Sequence, residues 1–331
     1  MIKSAKDIGI GVIGVGIMGR GHALYLSEYV KGGKVVAIYD ANVEIAKKVS
    51  KEVQKKTKLL PKVYSDLSTL LADKNVRAVI IASPDHLHAN HLEQAVLAGK
   101  DVLCEKPLAS KEKDARKVAK LVRNSKSIVG IGFMRRFDRP YLQLKQELQS
   151  GKYGKVLQIR CTSRNVSSPT ATTSMLLTNV AVHEIDIIRW LLNEEIVSVD
   201  VNYAKRTSKA NPNLSDPISV NCHTDSGVLV TIDIFANSTY GYEVGMEVVT
   251  ENGSLVIENL GQLNIAKNFK LPARKAGTLH KDWMGRFKPA YIAELKAFIS
   301  SLQKRKLDRN FATVEDGLAA SIACGLGVKK L

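Results

Sequence analysis

Residues 11–19 read GVIGVGIMG, and the first acidic residue after the next apolar run is Asp40. Gly14, Gly16 and Gly19 make a G-x-G-x-x-G. Each glycine has its own job in such a turn. Gly14 allows the tight turn, Gly16 lets backbone approach a pyrophosphate, and Gly19 lets a helix pack close to its strand. The apolar run Ile8–Ile13 before it predicts a buried parallel strand, and residues 18–30 predict a helix. The first turn of that helix, at Ile17 and Met18, presents unpaired N–H groups and a positive dipole end to phosphate. Residues 34–39, KVVAIY, predict the next strand, and Asp40 closes it 21 residues beyond Gly19. A carboxylate there accepts hydrogen bonds from the adenosine ribose hydroxyls and repels a 2′-phosphate. Ala41 follows, so no adjacent base offsets that repulsion. The expected cofactor is therefore NAD rather than NADP.

Working outward, strand and helix alternate through the first 130 or so residues. Val76–Ala82 is a buried strand broken by Ser83-Pro84, and Asp101–Cys104 is another, ending at Glu105-Lys106-Pro107. The expected unit is a doubly wound, dinucleotide-binding α/β domain over 1–133. After it the pattern changes to period-2 runs at 156–163, 197–204, 218–224, 228–235 and 243–250. Asp225-Ser226-Gly227 and Glu251-Asn252-Gly253 are hairpin signals between them. The second domain, 134–331, is thus expected to be α+β with a large, mostly antiparallel sheet, its last helix returning to pack on the first domain.

Composition narrows the classes. The chain has 331 residues and a net charge of +17. The lysines are spread along helical stretches, with no zinc finger or basic tail, so the excess reads as a solvated surface and not a specific nucleic-acid site. No apolar run is long enough to span a membrane, and residues 1–13 lack a secretory core and cleavage site. Cys104, Cys161, Cys222 and Cys324 are scattered, which argues against zinc clusters and a disulfide framework. A cytoplasmic protein without a bound metal is expected.

A second group of residues carries chemistry. Lys106 stands at the C-terminal end of a parallel strand, the edge where ligands of open α/β sheets gather. Ser83, His88 and Glu105 belong to the same edge and are expected to contact the cofactor. Asn179, His183 and Asp186 are spaced i−4, i and i+3, so one α-helix would carry them on one face. A histidine there can take a proton from an alcohol.

The glycine fingerprint, S-P-D-H-L-H at 83–88, E-K-P at 105–107 and N-x-x-x-H-x-x-D-x-x-R-W from Asn179 together resemble the glucose–fructose oxidoreductase / inositol dehydrogenase / rhizopine-catabolism family. The resemblance spans nearly the whole chain. GFMRRFD at 132–138, the stretch 232–253 and WMGRFKPAY at 283–291 are most similar to inositol 2-dehydrogenases. It implies Lys106 and His183 as catalytic residues, and Arg135, Tyr240 and Tyr242 turned toward a polyol. It also implies a homotetramer built on the second sheet. Family members place a carboxylate where this chain has Asn179, so an amide would hold the histidine or a substrate hydroxyl without negative charge. The expected reaction is NAD-dependent oxidation of a cyclic polyol, myo-inositol to 2-keto-myo-inositol. Oxidation of another inositol or a monosaccharide, and a non-catalytic NAD sensor, are the alternatives.

Overall fold

The computed structural model describes residues 7–258, 263–266 and 279–331. The first six residues of the stretch read above for a secretory leader lie outside them. The chain begins with β1 (Ile8–Ile13), α1 (Ile17–Tyr29), β2 (Gly33–Tyr39), α2 (Val43–Thr57), β3 (Lys62–Tyr64), α3 (Leu67–Ala72), β4 (Ala78–Ile81), α4 (His88–Leu97), β5 (Asp101–Glu105), α5 (Glu112–Arg123) and β6 (Val129–Gly132). It continues with α6 (Arg139–Gln149), β7 (Val156–Arg164), α7 (Thr173–Met175), α8 (Val182–Leu192) and β8 (Ile196–Tyr203). Then come β9 (Ile218–Thr224), β10 (Leu229–Phe235), β11 (Glu243–Thr250), β12 (Gly253–Ile257), β13 (Leu263–Ala266), α9 (Trp283–Lys304) and α10 (Val314–Val328).

Backbone contacts divide the chain into two compact units, Met1–Met134 with Ala290–Leu318, and Arg135–Pro289 with Ala319–Leu331. The expected single cut at 133/134 becomes three, and two of them fall inside α9 and α10. The segment that joins the first unit is the body of α9, the loop after it and the start of the last helix, Val314–Leu318. Aromatic packing and a backbone bridge account for this. Phe298 meets Phe311 edge to face at 6.3 Å between ring centres, and Ala312 bridges Ile131 of β6.

The first unit holds a six-stranded sheet in the order β3-β2-β1-β4-β5-β6, with every neighbouring pair parallel. This is the doubly wound order, with its switch point between β1 and β4. The register sets the ligand edge. Ile13 pairs with Tyr39 on one side and Ile81 on the other, and Ile81 pairs with Cys104. Gly14, Asp40, Ala82 and Glu105 therefore stand at one level, and Lys106 follows one residue beyond it. β1, β4 and β5 are almost wholly buried, as strands covered on both faces must be. Asn42 caps α2 by accepting from the Glu44 and Ile45 amides, and Asp66 caps α3 by accepting from Thr69.

The second unit holds a seven-stranded sheet, β13-β12-β11-β7-β10-β9-β8. Only β7 and β10 run parallel; every other neighbouring pair is antiparallel. Strict alternation along β10 and β11 gives one buried face and one face of half-exposed side chains. All four cysteines are unbridged and buried. Among the described residues, no helix is long and apolar enough to cross a membrane.

Candidate active site

In the first unit the glycine loop is shaped for a phosphate. Gly14 has φ +80, and a Cβ there would stand 2.6 Å from the Ser83 backbone, so β1 and β4 close on each other at the switch point. A Cβ on Gly19 would lie 1.8 Å from the Gly14 carbonyl oxygen, so α1 packs directly against the turn. Gly16 differs: nothing lies within 4 Å of its Cβ position. It is the N-cap of α1 and supplies no side-chain cap, while Ile17 beside it is 74% exposed. Open space over an uncapped helix N-terminus matches what a pyrophosphate requires. Asp40 is held by two backbone amides, accepting from Val15 at 2.8 Å and from Asn42 at 2.8 Å. Its carboxylate thus stands beside the same loop, where the adenosine ribose of NAD would bind. These residues fit the cofactor.

The other expected cofactor residues sort differently. Ser83 is half-buried, and its hydroxyl meets His91 Nδ1 at 2.9 Å. His91 is held below the ordinary histidine range, by burial first and then by the neighbouring His88 and His86. His88, expected at the cofactor, is buried, and both its ring nitrogens are taken by main chain. Nε2 lies 2.8 Å from the Ser83 carbonyl and Nδ1 lies 2.8 Å from the Pro107 carbonyl. It therefore clasps the end of β4 to the residue after Lys106, with no ring nitrogen left for a ligand. Glu105 is turned inward as well. Its carboxylate is buried on His22 of α1, Oε1 to Nε2 at 2.6 Å. Lys106 follows directly, half-exposed, at the ligand edge of the sheet.

In the second unit, Asn179 and His183 do not lie on one continuous α-helix. Leu176–Ala181, which contains Asn179, is π-helical and runs into α8. Its i→i+5 bonding widens the turn, so the i−4 spacing no longer stacks the two residues as an α-helix would. Asn179 is half-buried and its Oδ1 accepts from the Thr178 hydroxyl at 3.2 Å. His183 is the one residue of 182–191 that is not buried. Asp186, expected beside it, faces inward and binds Arg136 through two oxygens, at 2.6 and 2.9 Å.

Arg135 is likewise not a free hand for substrate. It is buried, donates to Glu184 Oε1 at 2.6 Å and stands over the Phe287 ring at 5.7 Å. Burial opposes the Arg135 charge, but the Glu184 carboxylate more than restores it, so the guanidinium holds its proton even more firmly than usual. Arg135 and Arg136 thus grip Glu184 and Asp186 on α8 and set its rotation about its axis. Tyr242 is buried with this group, its phenol pushed up to about 12 by burial, against the pull of Arg135. Tyr240 parts from it. It is 59% exposed and lines a surface cavity of about 270 Å³ with Arg164 and Phe235. The two tyrosines flank Gly241, whose φ of +156 turns the chain between them. Sequence reading passed over His22, Glu184 and Arg136. An acidic residue beside each candidate catalytic residue, Glu105 before Lys106 and Glu184 after His183, was the available signal. Among the described residues, no cluster of His, Cys, Asp or Glu is arranged to hold a metal.

Residues 8–133 match the family model described as an oxidoreductase family with an NAD-binding Rossmann fold, and residues 141–256 match the Gfo/Idh/MocA C-terminal domain. The chain belongs to the Gfo/Idh/MocA oxidoreductase family. It is an NAD-dependent oxidoreductase, with a Rossmann domain followed by the family's C-terminal α+β domain. It is 37% identical over 322 residues to an inositol 2-dehydrogenase/D-chiro-inositol 3-dehydrogenase of Shouchella clausii, covering 97% of this chain and 90% of the relative. An inositol 2-dehydrogenase of Serratia proteamaculans is 36% identical over 95% of this chain and 91% of its own length. Among solved structures, a myo-inositol dehydrogenase of Lactobacillus casei, in complex with NAD(H) and myo-inositol, matches with a TM-score of 0.88. It is 29% identical and the match covers 98% of this chain and 94% of that one.

Proposed function

We propose that this oxidoreductase oxidises a secondary hydroxyl of a cyclic polyol, with myo-inositol the substrate and 2-keto-myo-inositol the product. The observation that carries the reading is His183, half-buried near the start of a helix whose following residues Glu184–Leu191 are all buried and which two arginines grip. The names of the relatives add the substrate class. Bound NAD supplies the hydride acceptor, held at the Gly14–Gly19 loop and Asp40. His183 accepts the hydroxyl proton. Lys106, as an ammonium, donates a hydrogen bond to the same oxygen and stabilises its developing negative charge. Asn179 orients a hydroxyl through its amide and brings no counter-charge to the imidazolium. Substrate contact falls to Asn179 and His183, while Arg135 and Tyr242 brace α8. Tyr240 belongs to the exposed sheet face, where Arg160 pairs in register with Thr231 on one side and Glu247 on the other. Assembly of a homotetramer through that face is part of the same proposal.

The test is reduction of NAD and NADP by myo-, scyllo- and chiro-inositol, glucose and xylose. Turnover of an inositol with NAD is expected. Lys106→Ala and His183→Ala should each lower kcat by roughly 10²–10⁴-fold while NADH affinity changes little. Tight NADH binding without turnover of any of these compounds would refute the enzyme reading in favour of a sensor.

A further inference from the structure

Two histidines that the reaction above does not use hold the residues on either side of Lys106. On the residue before it, the Glu105 carboxylate meets His22 Nε2 of α1 at 2.6 Å. His22 Nδ1 has no partner among the described residues, so a hydrogen on Nε2, pointing at Glu105, leaves no buried donor stranded. The other Glu105 oxygen has little room to swing away, because a Cβ on Gly132 would stand 3.3 Å from it. On the residue after Lys106, the Pro107 carbonyl meets His88 Nδ1 at 2.8 Å. Nε2 of the same ring meets the Ser83 carbonyl, also at 2.8 Å. His22 and His88 are each 1% exposed, so neither ring reaches a ligand itself.

Both histidines come from helices that start at the cofactor edge. His22 lies three residues beyond Gly19, in the helix that opens at the glycine loop. His88 begins α4, and its second partner, Ser83, is the residue whose backbone would stand 2.6 Å from a Cβ on Gly14. The Glu105-Lys106-Pro107 tripeptide is thus tied to both walls of the switch point. A lysine ammonium rides on a flexible four-carbon stem, so where it can stand depends on how firmly its backbone is held. We propose that His22 and His88 are positioning residues: they fix the chain before and after Lys106, and so set where its ammonium meets the reacting oxygen. The inference rests on the reading of Lys106 as catalytic.

A double-mutant cycle against Lys106 tests this, read by single-turnover formation of NADH from myo-inositol and NAD. In the wild-type background, His22→Leu and His88→Leu should each slow that step about tenfold or more, while Kd for NADH changes less than about threefold. In the Lys106→Ala background the same substitutions should cost under about twofold, because no lysine is left to misplace. Equal losses in both backgrounds would mean that the histidines support the fold at large, and would overturn the proposal. So would a wild-type rate in either leucine variant. Amide variants give a second reading, and decide alone if a leucine variant does not fold. Glutamine brings an N–H near the Nε2 position and asparagine near Nδ1. His22→Gln should therefore recover most of the rate and His22→Asn should not. At His88 the order reverses, since Nδ1 is the atom on Pro107: His88→Asn should recover and His88→Gln should not. The same order at both positions overturns the proposal. Lys106→Ala at the wild-type rate, or a wild type that turns over none of the inositols or sugars, refutes the functional reading and with it any role exerted through Lys106. A slow Lys106→Ala beside unimpaired histidine variants refutes the positioning alone.

Discussion

Gly16 and Gly19 stand three residues apart in one loop, and the structure predicts opposite failures when each becomes alanine. At Gly19 the new Cβ would lie 1.8 Å from the Gly14 carbonyl oxygen and 2.9 Å from its carbon. A relaxed carbon–oxygen contact is roughly 3.3 Å, so the turn and α1 must part by about 1.5 Å. The loop would then no longer match its phosphate, and a misplacement of about 1 Å can cost on the order of 10²-fold. Packing of α1 on the turn fails as well, so the apo protein melts earlier. At Gly16 nothing lies within 4 Å of the added methyl, and φ is −63, open to any residue. Replacing one poor cap by another there costs about 1 kcal/mol at most, or roughly 3 °C in a protein of this size. The methyl does occupy the space through which the pyrophosphate meets the α1 amides. Loss of one charge-assisted hydrogen bond, about 1.5–3 kcal/mol, weakens NADH by roughly 10- to 100-fold. Thermal melts of the apo proteins and NADH titration by calorimetry separate the two effects. Wild-type NADH affinity in Gly16→Ala would refute the assignment of this loop to the pyrophosphate. Equal loss of Tm in both variants would refute the division of labour between the two glycines.

Other consequences follow from the same geometry. Asp40→Ser removes the carboxylate that stands against a 2′-phosphate, so the NADP-to-NAD ratio of kcat/KM should rise at least tenfold, by about 1.4 kcal/mol or more; an unchanged ratio would place cofactor discrimination elsewhere. Glu184→Ala strips the buried Arg135 of its counter-charge at 2.6 Å, and denaturant unfolding should show a loss of about 3–5 kcal/mol. Stability within 1 kcal/mol of wild type, by the same measurement, would mean that the pair does not brace α8. Glu294 makes stability depend on pH with a definite sign. Burial and Glu105 raise its proton affinity in the folded chain, so the unfolded chain ionises first as pH rises. Stability therefore falls by about 1.4 kcal/mol per pH unit from the ordinary carboxyl range upward, until the folded group also ionises. Glu294→Gln removes that slope, and its advantage in urea midpoint over wild type should widen from about pH 5 to about pH 8. A constant difference would show that Glu294 is already charged when folded.

Fold and cofactor were legible because their signals are local. The glycines, the β-branched run before them and Asp40 act through backbone geometry within a few residues, and the hairpin signals of the second sheet do likewise. Lys106 was legible by position, since the end of a parallel strand is a property of the strand. The helix bearing His183 was legible in part. Its apolar positions were plain, but nothing in the spacing shows that Leu176–Ala181 widens into a π-helix.

Sequence by itself thus determined an NAD-binding Rossmann domain, a mostly antiparallel second sheet and the residues that could do chemistry. Tertiary structure decided which of those residues are used as braces. His88, Glu105, Arg135 and Asp186 are all polar and all near the expected sites, and a one-dimensional reading turns them toward ligands. Their partners are Ser83 and Pro107, His22, Glu184 and Arg136, most of them far along the chain. A buried polar group must be matched by a partner, and only the folded chain reveals which one. The same rule leaves Glu294 of α9 conspicuous, a fully buried acid whose two carboxyl oxygens have no partner among the described residues.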